Sequence, residues 1–363
     1  MKNGPLCVGL DTDPSYIPEN IVSTYQSAPA AVLAYNKAII DRVVADKSAC
    51  CFKVQIAYYE AMGLEGMKVY AETLKYIRSQ AGGGLLAISD IKRGDIGATS
   101  DAYAKAHFTG DFETDIITIN PYMGFDTLQP FTKYSWPEKG GKGAFVLLCT
   151  SNPGMVDIEH QRLAGGSATG AVAAGTGASG SGSAGSAACV GAAAGGDVAG
   201  GSAGAGLSGG GVVGAGKLGG AAGDGGLLLE RVGDEIERIG NEWRETCPDY
   251  ANQTCGIFGA VVGATQEADA RWLRDKYKDT FFLIPGYGAQ GGAARIAATL
   301  LDKAGGAVNS SRGILCAWKK DEKLSAAREA GKLTMNDIAD AAARAALFSK
   351  EDLLAAKASL ASL

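Results

Sequence analysis

The densest set of chemically capable side chains in the sequence is Asp90-Ile91-Lys92-Arg93-Gly94-Asp95-Ile96. It follows the apolar run Leu85-Leu86-Ala87-Ile88, so charges stand at the end of an apolar strand, where they are costly unless paired or used. Side chains two apart in a strand share a face, which points Asp90 and Lys92 together. Asp95 comes three residues later, in the loop before a helix. Phe52-Lys53-Val54-Gln55 adds a second lysine, with Gln55 on the same face as Lys53. Two lysines and two aspartates can thus converge into an alternating network, in which each charge favours its neighbour's ionised form and the protons titrate as a coupled set. An isolated Asp-x-Lys fits a structural ion pair as well as a site; Asp95 and Lys53 together favour chemistry.

Three other segments complete a site. Pro285-Gly286-Tyr287-Gly288-Ala289-Gln290-Gly291-Gly292 opens a helical pattern; glycines let backbone N–H groups approach an anion, and a helix N-terminus favours negative charge. Asn309-Ser310-Ser311-Arg312-Gly313 brings Arg312, whose guanidinium can fork onto phosphate. Thr150-Ser151-Asn152-Pro153-Gly154 offers hydroxyl and amide groups suited to a neutral polar ring.

The elements that must position these residues alternate. Strand-like runs occupy 6–11, 51–56, 85–92, 115–120, 144–150, 257–265, 281–287 and 307–311, and helical spacing appears at 31–44, 67–77, 100–108, 227–243, 267–277, 293–303 and 335–348. Eight such units predict a closed (β/α)8 TIM barrel, with an open doubly wound sheet as the alternative. In a barrel, catalytic residues gather at the C-terminal strand ends, and the loops after strands seven and eight commonly bind phosphate. Asp11, Lys53, Asp90, Lys92, Asn120, Ser151 and Arg312 all fall at such ends. One barrel domain over 1–363 is expected, interrupted after strand five by residues 164–226. That stretch is almost entirely Gly, Ala and Ser, with too little side chain to offset ordering entropy, and reads as a disordered spacer whose ends need only lie close together.

Bulk properties exclude several classes. The net charge is −5, with no run of lysines or arginines, which argues against a nucleic-acid or anionic-membrane surface. No apolar stretch approaches the ~20 residues of a membrane span, and the start has no signal-peptide layout. Eight cysteines without a CxxC pair fit reduced thiols in a cytoplasmic protein. His107 and His160, the two histidines, sit in no motif, and no His/Asp/Glu cluster suggests a catalytic metal.

Together the motifs resemble the orotidine 5′-monophosphate decarboxylases, in particular their bacterial and protist branch. The resemblance runs through Val8-Gly9-Leu10-Asp11, Phe52-Lys53-Val54-Gln55, the segment from Asp90 to Gly97, and Asn120-Pro121-Tyr122-Met123-Gly124. It continues through Thr150 to Gly154, Val262-Gly263-Ala264-Thr265, Pro285 to Gly292 and Asn309 to Arg312. It implies decarboxylation of orotidine 5′-monophosphate (OMP) to UMP without a cofactor. Lys92 would protonate C6 of the pyrimidine, Asp90 would lie beside the substrate carboxylate, and Lys53 would orient Asp90 and reach the ribose. Asp11 would bind ribose hydroxyls, Ser151 the pyrimidine amide, and Gln290 with Arg312 the phosphate. The resemblance also implies a homodimer, with Asp95 and Thr99 crossing into the neighbour's site. The family usually carries a helix ahead of strand one, whereas here the first strand begins about six residues from Met1. Two rivals share part of the pattern: a magnesium-dependent sugar-phosphate decarboxylase or synthase of the same suprafamily, and a non-catalytic nucleotide-binding barrel.

Overall fold

The computed structural model describes residues 3–80, 85–163, 226–287 and 294–361. Eight parallel strands close into a barrel in sequence order: β1 (Leu6–Leu10), β2 (Cys51–Gln55), β3 (Leu86–Arg93), β4 (Ile116–Ile119), β5 (Gly143–Cys149), β6 (Phe258–Val262), β7 (Phe282–Ile284) and β8 (Gly306–Ser310). β1 pairs with β8 as well as β2, so no strand edge is left open. Each strand is followed by a helix: α1 (Ala28–Ala45), α2 (Gly63–Ser79), α3 (Gly97–Phe108), the short α4 (Gln129–Thr132), α5 (Leu228–Thr246), α6 (Glu267–Lys276), α7 (Ala294–Leu300) and α8 (Met335–Ala361). The closed barrel is the expected architecture. The last helix runs 13 residues past its expected end, at 361 rather than 348, packed between α1 and α7 at the seam where β8 meets β1.

Strand periodicity divides the core in two. Val8, Leu10, Phe52, Val54, Ile117, Val146 and Val308 belong to the layer that packs beneath the helices. The alternate positions Cys7, Cys51, Ile88, Phe145, Val261, Leu283 and Ala307 form a separate inner cluster. Above it, continuing the same inward positions, come Lys53, Gln55, Asp90, Thr118 and Asn309. The barrel interior therefore passes from apolar floor to charged mouth within one or two side-chain layers.

Local signals set the elements. Ser27 caps α1, accepting from Ala30 N at 3.3 Å, and a proline in the first turn supplies a preset φ. α5 buries Leu229, Gly233, Ile236, Ile239, Gly240 and Trp243, the stripe expected of a helix lying on a barrel. The residues read as a disordered spacer lie, apart from Gly226, outside the described residues. Their flanks are close together as expected: Leu163 N donates to Gly226 O at 2.9 Å, and Arg162 bridges Leu227 in antiparallel fashion.

Candidate active site

Register brings the charged residues together. β2 and β3 pair so that Gln55 lies opposite Asp90. Lys53 Nζ then reaches Asp11 Oδ1 at 3.1 Å and Asp90 Oδ2 at 2.8 Å, while Lys92 Nζ reaches Asp90 Oδ1 at 2.6 Å. Gln55 Nε2 donates to Asp90 Oδ2 at 3.0 Å and Thr118 Oγ1 to Asp90 Oδ1 at 2.9 Å. Asp90 thus accepts two hydrogen bonds on each oxygen, the full capacity of a carboxylate. Burial alone would push its pKa up; the ammonium groups of Lys53 and Lys92 outweigh burial and hold it well below the usual carboxylate range. Burial opposes the charge on Lys53 too, yet Asp90 and Asp11 raise its pKa above the ordinary lysine range. The Lys53 side chain is only 5% exposed, whereas that of Lys92 is 46% exposed, so Lys92 is the ammonium of the network more open to the surroundings.

Lys92 reaches this position through a backbone irregularity. Regular strand alternation suffices in principle to put Asp90 and Lys92 on one face, but the structure adds a bulge. From Ser89 to Arg93 the ladder advances four residues on β3 while β4 advances two, from Ile117 to Ile119. Lys92 takes φ +46°, a left-handed conformation rare outside glycine. Thr118 holds the bulge: its Oγ1 accepts from both Ile91 N and Lys92 N at 2.9 Å while donating to Asp90. One hydroxyl thus ties the strained backbone to the carboxylate that orients Lys92.

A cavity of about 240 Å³ opens over this network. Lys53, Asp90, Lys92, Thr118 and Asn309 line one part of it, and Thr150, Ser151 and Asn152 another. Ser151 fits there because residue 263 is glycine: a Cβ on Gly263 would lie 2.9 Å from Ser151 Cβ and 3.0 Å from its nitrogen.

Lys53, Asp90, Lys92, Asp11 and Ser151 are therefore brought together. Asp95 and Thr99 are not. Asp95 turns its carboxylate back to Ile96 N at 2.8 Å, and Thr99 is exposed at the start of α3. Within one chain the second aspartate of the network is Asp11. Arg312 is exposed in the first turn after β8, outside the cavity lining. Gln290 lies outside the described residues.

Two residues escaped the sequence reading as site members. Thr118 is a lone polar side chain among the isoleucines of β4, at an inward position. Asn309 is buried in the cavity wall, its Nδ2 donating to Ser311 Oγ at 3.1 Å and its Oδ1 without a hydrogen-bond partner among the described residues. A polar residue at an inward strand-end position was the available signal for both.

The sequence model of the Orotidine 5′-phosphate decarboxylase / HUMPS family matches residues 4–218. The chain belongs to this family. An orotidine 5′-phosphate decarboxylase from Clostridium botulinum is 42% identical over 320 residues, covering 88% of this chain and 87% of that protein. Among solved structures, Plasmodium berghei orotidine 5′-monophosphate decarboxylase shares the fold with a TM-score of 0.59 at 16% identity, covering 97% of this chain and 96% of that one. Leishmania donovani UMP synthase matches at 26% identity and a TM-score of 0.56, covering 93% of this chain and 54% of that longer protein.

Proposed function

We propose that the chain decarboxylates OMP to UMP and carbon dioxide, with Lys92 as the proton donor. The observation that carries this reading is the Lys92 ammonium, half-exposed at the cavity mouth and fixed 2.6 Å from a buried, fully hydrogen-bonded Asp90. Cleavage of the C6–carboxylate bond leaves an electron pair in the ring plane, with no delocalising sink. Preorganised positive charge and a proton at that carbon are what lowers the barrier. In this reading the proton passes from Lys92 Nζ to C6 as carbon dioxide departs. Lys53 holds Asp90 in place and reaches the ribose, Asp11 binds the ribose hydroxyls, and Ser151 reads the pyrimidine amide. Gln290 and Arg312 take the phosphate, whose binding energy far from C6 helps hold a closed, dry site. Saturation of Asp90 by two ammonium groups, an amide and a hydroxyl leaves no lone pair for a divalent cation, which favours this reading over the magnesium-dependent one.

A homodimer belongs to the same proposal. Gly94 packs so tightly on Asn120 that a Cβ there would lie 2.5 Å from its carbonyl oxygen, which sets the Asp95 loop beside the loop after β4. Ile96, Tyr122 and Met123 stand 62%, 76% and 54% exposed on these two loops, an apolar patch suited to a second copy that would receive Asp95 and Thr99. Seven described cysteines are free thiols, in keeping with a reducing cytoplasm, and no described helix is long and apolar enough to cross a membrane.

The test is the loss of OMP absorbance, with and without EDTA. Turnover unaffected by chelator is expected; abolition by EDTA would favour the metal-dependent rival, and UMP binding without turnover the non-catalytic one. Lys92→Ala should cut kcat by roughly 10³-fold or more, the scale of a lost general acid, with UMP affinity largely retained. Full activity in that variant would sink the mechanism.

A further inference from the structure

The ring-reading loop is held by a side chain that does not line its cavity. Glu159 Oε2 accepts from Thr150 N at 2.8 Å and Glu159 Oε1 from Thr150 Oγ1 at 2.6 Å, a two-point grip on the residue just before Ser151. Thr150, Ser151 and Asn152 all line the catalytic cavity; Glu159 does not. The main chain of Glu159 is itself anchored. Its nitrogen donates to Met155 O at 2.8 Å, and its carbonyl accepts from Leu229 N at 3.0 Å in the first turn of α5. Next to it Gln161 O accepts from Leu228 N at 2.9 Å. The grip thus connects the first turn of α5 to an otherwise exposed turn.

We propose that Glu159 is a positioning residue for pyrimidine recognition, fixing Thr150 so that Ser151 and Asn152 face the ring. This rests on the decarboxylase reading above and adds to it the origin of ring selectivity. A carboxylate can only accept, so it holds the Thr150 N–H and draws the Thr150 hydroxyl proton, for which Asn152 Oδ1 at 2.7 Å is the neutral competitor, and bonds to a charged acceptor are the strong ones. Without it the turn would keep its sequence but lose the geometry that lets two short side chains meet a planar ring.

The experiment compares two ligands on the full chain by calorimetry: UMP, which has the ring, and ribose 5-phosphate, which lacks it. Glu159→Ala should weaken UMP binding roughly 10- to 100-fold, the scale of lost charge-assisted hydrogen bonds. Ribose 5-phosphate affinity should hold to within about twofold, since its contacts lie elsewhere. Glu159→Gln, whose amide carbonyl keeps one of the two acceptors, should fall between the wild type and Glu159→Ala, and it serves as the reporter if the alanine variant does not fold. Equal weakening of both ligands would reduce Glu159 to a fold-supporting role, and unchanged UMP affinity in both variants would remove any role; either overturns the proposal. A wild-type chain that neither binds UMP nor consumes OMP would overturn the decarboxylase reading, and this inference with it.

Discussion

Asp90 concentrates the energetics of the site. Removing it by Asp90→Ala strands the buried ammonium of Lys53, and breaking a buried pair from one side costs about 3–5 kcal/mol. Asp11 remains 3.1 Å from Lys53, so the lower end of that range is expected in urea denaturation. A loss under about 1 kcal/mol would mean that Asp11 alone suffices to compensate Lys53. Because the folded pKa of Asp90 is depressed, its contribution is complete above the ordinary carboxylate range and is lost progressively as pH falls from that range to the depressed value. Lys53, Asp90 and Lys92 were legible in the sequence from charge at the ends of apolar strands. Thr118 was legible only as a polar residue at an inward strand-end position; that it holds a bulge was not, because no local pattern in β4 announces one.

Elements carry the next set of consequences. β5 and α5 are separated in sequence by a long Gly/Ala/Ser stretch, yet its flanks meet at Leu163 and Gly226, and α5 packs on β5 and β6 as the fifth helix of the ring. Since the grip on Thr150 begins outside that stretch, replacing residues 164–225 with a short linker should leave kcat/KM for OMP within about threefold of wild type, because loop length changes closure entropy only slowly. Loss of activity in that deletion would show the stretch to be more than a spacer. The position of the insertion was plain from composition. That its ends are fastened beside the Thr150–Asn152 turn was not, since the fastening is made by backbone groups.

At the scale of the whole molecule, one chain supplies Lys92 and, in the proposed dimer, the other supplies Asp95. Mixing inactive Lys92→Ala and Asp95→Asn chains and allowing exchange should restore roughly a quarter of wild-type activity: half the dimers are then mixed, and each mixed dimer carries one intact site of two. No recovery after verified exchange would place both residues in the same chain's site. Stability has its own acid limit. Burial, reinforced by the charge of Arg93, pulls the His107 pKa down from 6.5 to about 4. Between these values the unfolded chain binds the proton and the folded one does not, so stability falls as pH drops from 6.5 towards 4, by roughly 3 kcal/mol. His107→Phe should flatten that part of the pH profile in denaturant titrations, and an unchanged slope would assign it to other groups.

The sequence by itself determined the eightfold alternation, the inward and outward faces of the strands, and the residue types at the charged strand ends. These follow from hydrophobic period and from the cost of placing charge beside apolar runs. Only the tertiary structure decided which charges meet. It put Asp11 rather than Asp95 on Lys53, turned Lys92 through a left-handed bulge, and filled every acceptor position of Asp90. Those outcomes depend on register between strands far apart in the chain and on hydrogen bonds from neighbouring strands, and the linear order of residues does not specify them.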